Sequence, residues 1–186
     1  MAANGTPITL DDWFALLEAM PVPQGYRAEI IEGTVQLSWR RDTRWDITAD
    51  LYDQLRAKYP RKRLKSDVRL DLPGPLNSFA PDLMLVAEGA ERTADGLWRC
   101  EDIEFAAEVT PQDTEDPGDN PKVAAYALAG VPVYLVVDPR HGKSHAYSKP
   151  GKDTYAVRLT VTFGADMNLT GTPLGLILET DDFPRD

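Results

Sequence analysis

The chain is poor in the residues that supply thiol and imidazole chemistry. Cys100 is its one cysteine, and His141 and His145 are its two histidines. That excludes a disulfide framework and a cysteine-rich zinc site. The histidines are spaced i,i+4 in the string HGKSHAY, but Gly142 and the strand-like surroundings oppose the helix that an HExxH metal site requires. Cys100 has no obvious partner and reads as a small buried residue. No apolar run reaches the ~18 residues of a membrane-spanning helix. The start, MAANGTPITLDDW, has no basic segment leading into an apolar one, so it does not read as a signal peptide and a cytoplasmic location is expected. GxGxxG, Walker A and GxSxG strings are all missing.

What remains is enough for a core: 186 residues, 42% of them hydrophobic, which reads as a single domain over residues 1–186. The formal net charge is −10, which counts against strong nonspecific nucleic-acid binding. The charge is unevenly spread, however. Arg56, Lys58, Arg61, Lys62, Arg63, Lys65 and Arg69 fall within fourteen residues, opposed only by Asp67. Segment 101–119 is the reverse, with Glu101, Asp102, Glu104, Glu108, Asp113, Glu115, Asp116 and Asp119. A positive edge beside an acidic pocket suits a metal-dependent nuclease; two solvated patches on an acidic scaffold are the plainer reading.

Patterning predicts an α+β fold, with helices on the faces of a mixed central sheet. Thr9 followed by Asp12 looks like an N-cap. It starts a helix over about residues 10–19, with Trp13, Leu16, Leu17 and Met20 on its apolar side and prolines at its end. Tyr26 to Leu37 reads as a hairpin turning at Glu32-Gly33. Residues 44–58 have a helical period through Trp45, Leu51, Tyr52 and Leu55. Leu64 to Leu72, Asp82 to Val86, Ile103 to Val109 and Val133 to Val137 read as strands, the third being apolar enough for a central position. Proline-rich 111–121 opposes regular structure. Lys122 to Ala129 is a short helix stopped by Gly130. Antiparallel strands then flank the turn at Pro150, and Gly171 to Glu179 supplies a last strand or edge element.

Asp82 opens one apolar run and Glu108 interrupts another. A carboxylate within FAAEV is costly to bury without a partner or a metal. Lys122 follows at a helix start, and connections from strand to helix deliver helix starts to strand ends. Two acids and a lysine so placed are the parts of a magnesium-dependent phosphodiesterase. Asp82, Glu108 and the backbone carbonyl of Val109 would be metal ligands, and Lys122 would orient water or neutralise the phosphate. Glu29 is a further candidate, to complete a second metal site or position a water; a structural carboxylate is the equal alternative. Asp138 before Pro139 reads as turn-forming. Asp113, Glu115, Asp116 and Asp119 read as a solvated loop able to close over substrate.

Four segments also resemble a known family. They are YRAEIIEGTV at 26–35, FAPDLMLV at 79–86, FAAEVTP at 105–111 and KVAAYALAGVPVYLVVDP at 122–139. Together they resemble the restriction endonuclease domain of many bacterial proteins, a branch of the PD-(D/E)xK nuclease superfamily, over about residues 8–180. The resemblance implies a restriction-endonuclease-like core and Mg²⁺, with Mn²⁺ as a substitute. It implies DNA as substrate and a homodimer where both strands are cut. It assigns the PD aspartate to Asp82, the acidic residue of the second half to Glu108, the displaced lysine to Lys122 and the early family glutamate to Glu29. The chain departs from the pattern at Thr110, where the ordinary motif has lysine. The histidine usual near the start of the second helix has no counterpart, and Arg44 or Trp45 stands in its neighbourhood. A catalytically inactive nuclease-fold domain that binds nucleic acid or protein is the alternative reading, and an unrelated α+β scaffold a third.

Overall fold

A computed structural model describes residues 8–21, 24–39, 42–109 and 120–186. The polar segment from Thr110 to Asp119, with its four candidate loop acids, lies outside them. The first helix, α1 (Leu10–Ala19), begins on a capping box in which Thr9 and Asp12 satisfy one another's backbone N–H groups. Its apolar side is not buried as the pattern predicts. Only Leu17 enters the core, while Leu16 and Met20 stay about half exposed.

The next elements are β1 (Tyr26–Ile31), β2 (Thr34–Trp39), α2 (Asp42–Arg56), β3 (Leu64–Lys65), β4 (Leu70–Leu72), β5 (Asn77–Phe79) and β6 (Leu83–Val86). Then come β7 (Ile103–Val109), α3 (Pro121–Leu128), β8 (Val133–Asp138), β9 (Lys143–Pro150), β10 (Tyr155–Thr162), β11 (Met167–Asn168) and β12 (Ile177–Leu178). The β1–β2 hairpin turns at Glu32 and Gly33, both with positive φ (49° and 71°). That is the backbone of the tight turn that matches strand twist.

The main sheet has the order β10-β9-β8-β7-β6-β3. Only β7 and β8 run parallel, joined through α3, and β7 is interior. The sequence pattern does not separate a second sheet from this one. Leu70–Leu72 joins β5, β1 and β2 in a four-stranded antiparallel sheet, while Leu64–Lys65 edges the main sheet. β11 and β12 form a small ribbon of their own.

Strand alternation sorts the core into two faces. Leu83, Leu85, Phe105, Ala107, Val133 and Leu135 pack with Ile47, Leu51 and Leu55 of α2. Met84, Ala106, Tyr134 and Val136 pack on the other face with Val123 and Tyr126 of α3 and Phe79 of the second sheet. Along this second face runs a row of rings, Tyr126, Tyr134, Tyr147 and Tyr155. Successive centroids are 4.3, 5.9 and 5.9 Å apart.

α3 is closed at both ends. The Asn120 side chain accepts from the Lys122 N–H at 2.9 Å, and Pro121 takes the first helical position, where no backbone donor is needed. At the other end, Gly130 at φ 74° lets the Val131 N–H return to the Tyr126 carbonyl and its own N–H to that of Ala127. This fixes where Lys122 begins the helix and where Tyr126 faces.

Candidate active site

β6 and β7 pair antiparallel with Leu83 opposite Ala107. One step further puts Asp82 opposite Glu108, with both side chains on the α3 face by alternation. Directly opposed residues have Cβ atoms about 4.5–5.5 Å apart. Val109 reinforces the approach, its N–H donating to Asp82 Oδ2 at 2.8 Å. The expectation attached to Val109 concerned its carbonyl; the observed contact is through its N–H.

Lys122 donates from Nζ to Glu108 Oε2 at 2.5 Å and to Glu29 Oε2 at 2.9 Å. Glu29 stands on β1, and its Oε1 accepts from the Ala80 N–H at 3.0 Å. The Tyr126 hydroxyl donates to Glu108 Oε1 at 3.2 Å. The four residues singled out from sequence, Glu29, Asp82, Glu108 and Lys122, therefore converge at one end of the main sheet. All four are buried.

Two arginines belong to the same cluster. Arg27 donates to Asp82 Oδ1 at 2.8 Å, lies 3.6 Å from Glu29 and also pairs with Asp67 at 3.1 Å. Arg44, from the first turn of α2, donates to the same Oδ1 of Asp82. Arg27 was not recognisable as a site residue by motif. Its signal is positional, since residues two apart on a strand share a face, and Arg27 precedes the buried Glu29 by two. Tyr126 was likewise missed, being an ordinary core aromatic by period.

Burial in this apolar setting pushes the carboxyls of Asp82 and Glu108 up, each to about 7, despite Arg27 beside the first and Lys122 beside the second. Glu29 feels the same burial, but Lys122 and Arg27 outweigh it and hold it below the usual carboxylate range. Burial alone would lower Lys122; Glu108 and Glu29 raise it instead, so it stays protonated. The centre sets three acids, Glu29, Asp82 and Glu108, against three cations, Lys122, Arg27 and Arg44.

Among the described residues, no group of three or more His, Cys, Asp or Glu side chains has the spacing to hold a metal ion. The carboxylates of Asp82 and Glu108 are hard oxygen donors of the kind Mg²⁺ prefers. They are also the two groups whose ionised forms burial disfavours. In these respects they fit a divalent cation, but Asp82 Oδ1 must first give up Arg44.

Asp138 has the turn-forming role expected of it, and other sequence expectations are revised. Asp138 accepts from the N–H groups of Arg140 and His141 and from the His141 ring at 2.6 Å, so it shapes its turn. His145 lies on β9 and meets Thr160 at 2.9 Å. Cys100 is half-buried rather than fully so, and burial moves its thiol up to about 11. The basic run 56–69 is not one continuous face. Arg56 donates to the Tyr59 carbonyl, Lys58 to those of Leu174 and Gly175, and Arg63 to Val86 and Glu104. Arg69 holds Asp71 and Asp11.

The comparison with known proteins bears on the fold and the family. No curated protein matches the chain. A crystal structure from Anabaena variabilis, described as "a putative nuclease belonging to DUF820", superposes with a TM-score of 0.68 at 16% identity, covering 95% of this chain and 97% of that one. At that identity the likeness is one of fold, a mixed sheet flanked by helices as in restriction endonucleases. The family Uma2, described as "Putative restriction endonuclease", matches residues 14–181, which takes in all four converging residues, and the chain belongs to that family.

Proposed function

We propose that the protein is a divalent-metal-dependent nuclease that hydrolyses phosphodiester bonds in DNA. One observation carries this reading. Asp82 just ahead of β6, Glu108 of β7 and Lys122 of α3 meet in a buried cluster that Glu29 completes. Stability alone does not call for such an arrangement, because a buried ion-pair network is often no better than apolar packing of the same volume.

Asp82 and Glu108, with the Val109 carbonyl, would hold Mg²⁺ or Mn²⁺. When bound, the ion supplies Lewis acidity at a phosphoryl oxygen and acidifies water. The chain's own groups do the rest. The Lys122 ammonium, held by two carboxylates, orients the attacking water or neutralises the charge that grows on the phosphate. In hydrolysis the water oxygen bonds to phosphorus, the water's proton passes to a nearby base, and the leaving oxygen takes a proton as its P–O bond breaks. Glu29 keeps Lys122 in register, and Tyr126 fixes the far oxygen of Glu108. Cutting both strands of a duplex would call for a homodimer, one centre per strand.

A specific observation favours a second reading. Arg44 and Arg27 both occupy Asp82 Oδ1, which suits a catalytically silent nuclease-fold domain. Incubation with supercoiled plasmid and Mg²⁺ or Mn²⁺ separates the two. Nicked or linear product that disappears in Glu108→Ala is the expected result. No product from either protein, together with no divalent-metal binding by calorimetry, would establish the silent domain instead.

A further inference from the structure

An open groove of about 880 Å³ lies between α2 and the turn at Arg61–Arg63 that leads into β3. One wall carries Trp45 and Tyr52, two helical turns apart. The other carries Arg61, Lys62 and Lys65, and Asp53 is the one acid in the lining. Trp45 follows the apolar period of α2 yet is 68% exposed, the most exposed large hydrophobic residue among those described. Lys65 is engaged with the Lys62 carbonyl and lies over the Trp98 ring. Among the described residues, Arg61 and Lys62 pair with no acid, whereas Arg63 and Arg69 of the same run hold carboxylates and Arg56, Lys58 and Lys65 hold backbone carbonyls.

None of the centre's residues lines the groove, and the link between the two is one of chain adjacency. Leu83 lines it, and the preceding residue is Asp82; Trp45 lines it, and the preceding residue is Arg44, which touches Asp82. We infer that this groove receives a single strand of nucleic acid, with a base stacked on Trp45 and phosphates on Arg61 and Lys62. A duplex hides its base faces in its own stack and offers a protein only edges and backbone. An exposed indole facing two unpaired cations complements the π-face and phosphate that an unpaired strand presents together. An acidic peptide would match the cations but would leave the indole in water. The inference rests on the nuclease reading for the fate of the strand, not for its binding.

The test is fluorescence anisotropy in EDTA, so that binding is read without cleavage. The probes are a labelled fifteen-nucleotide thymidine strand and a blunt duplex of equal length. The strand is expected to bind at least about tenfold tighter than the duplex. Trp45→Ala is expected to weaken strand binding about fivefold to a hundredfold, the range of one lost base–aromatic stack, and Trp45→Phe to recover most of it. Lys62→Ala should reduce the salt slope by about 0.7, one single-strand phosphate contact. Val157→Ala, exposed on the opposite edge strand β10, should bind as the parent does. Duplex binding equal to or tighter than strand binding would overturn the inference. So would a Trp45→Ala protein that binds as the parent does, or equal competition by polyglutamate. If strand binding holds while metal brings no cleavage, the groove stands and the nuclease reading falls.

Discussion

Two regions of this protein handle charge in opposite ways. In the centre, Glu29, Asp82 and Glu108 interlock with Lys122, Arg27 and Arg44, all buried but the partly exposed Arg44. In the groove, Arg61 and Lys62 have no acidic partner among the described residues, and Trp45 stands in solvent. A buried network resists loss of a member, because each remaining charge is left in a poor solvent. Exposed cations contribute little to folding. The contrast separates residues that fold and work together from residues available to something outside the chain.

The largest expected effect attacks the network. Lys122→Ala leaves Glu29 and Glu108 facing each other without their shared ammonium, and urea unfolding should show a loss of about 3–5 kcal/mol. Glu108→Ala should reduce plasmid cleavage by roughly a hundredfold to a thousandfold, the usual consequence of removing one electrostatic element of a phosphoryl-transfer site. Arg44→Ala sharpens the distinction, because it frees Asp82 for a cation. Mg²⁺ affinity by calorimetry should rise by about tenfold or more, the worth of one charge-assisted hydrogen bond; unchanged affinity would mean that Arg44 does not compete with metal.

Titration follows from the same two carboxyls. Asp82 and Glu108 hold their protons to about pH 7 in the folded protein, against ordinary values of 3.8 and 4.5. Their contribution to stability is complete below the ordinary values and is lost as pH rises through 7. Metal binding has the opposite sign, since the carboxyls must be ionised, so affinity should increase from pH 5.5 to 8. Calorimetry at both values checks this. The smallest effect belongs to the groove: Arg61→Ala should change stability by no more than about 0.5 kcal/mol, and a larger loss by urea unfolding would place Arg61 in the structural class.

Legibility in the sequence divides along the same line. Glu108 announces itself because a carboxylate interrupts a run of small apolar residues, and Lys122 because it opens a short helix after that strand. The register that brings them together follows from short antiparallel pairing. Arg27 and Arg44 carry no such mark, since an arginine on a hairpin strand or a helix's first turn is ordinary until its partner 55 or 38 residues away is known. Trp45 misleads because helical period tells which stripe a residue occupies, not whether anything covers that part of the stripe. The 56–69 run misleads for a related reason. Clustering in sequence says nothing of which cations a neighbouring carbonyl will claim. The division of β1, β2, β4 and β5 into their own sheet depends on long-range pairing that alternation alone does not specify.

The tyrosine row ending at Glu108 has a mechanical meaning. Tyr126 joins that carboxylate to three further rings crossing β8, β9 and β10, the first two stacked and the last tilted, so the glutamate leans against a stiff wall. Any adjustment that admits a guest to the cluster must therefore come from the opposite bank. There a single arginine on the opening turn of a long helix is the hinge pin that can be drawn.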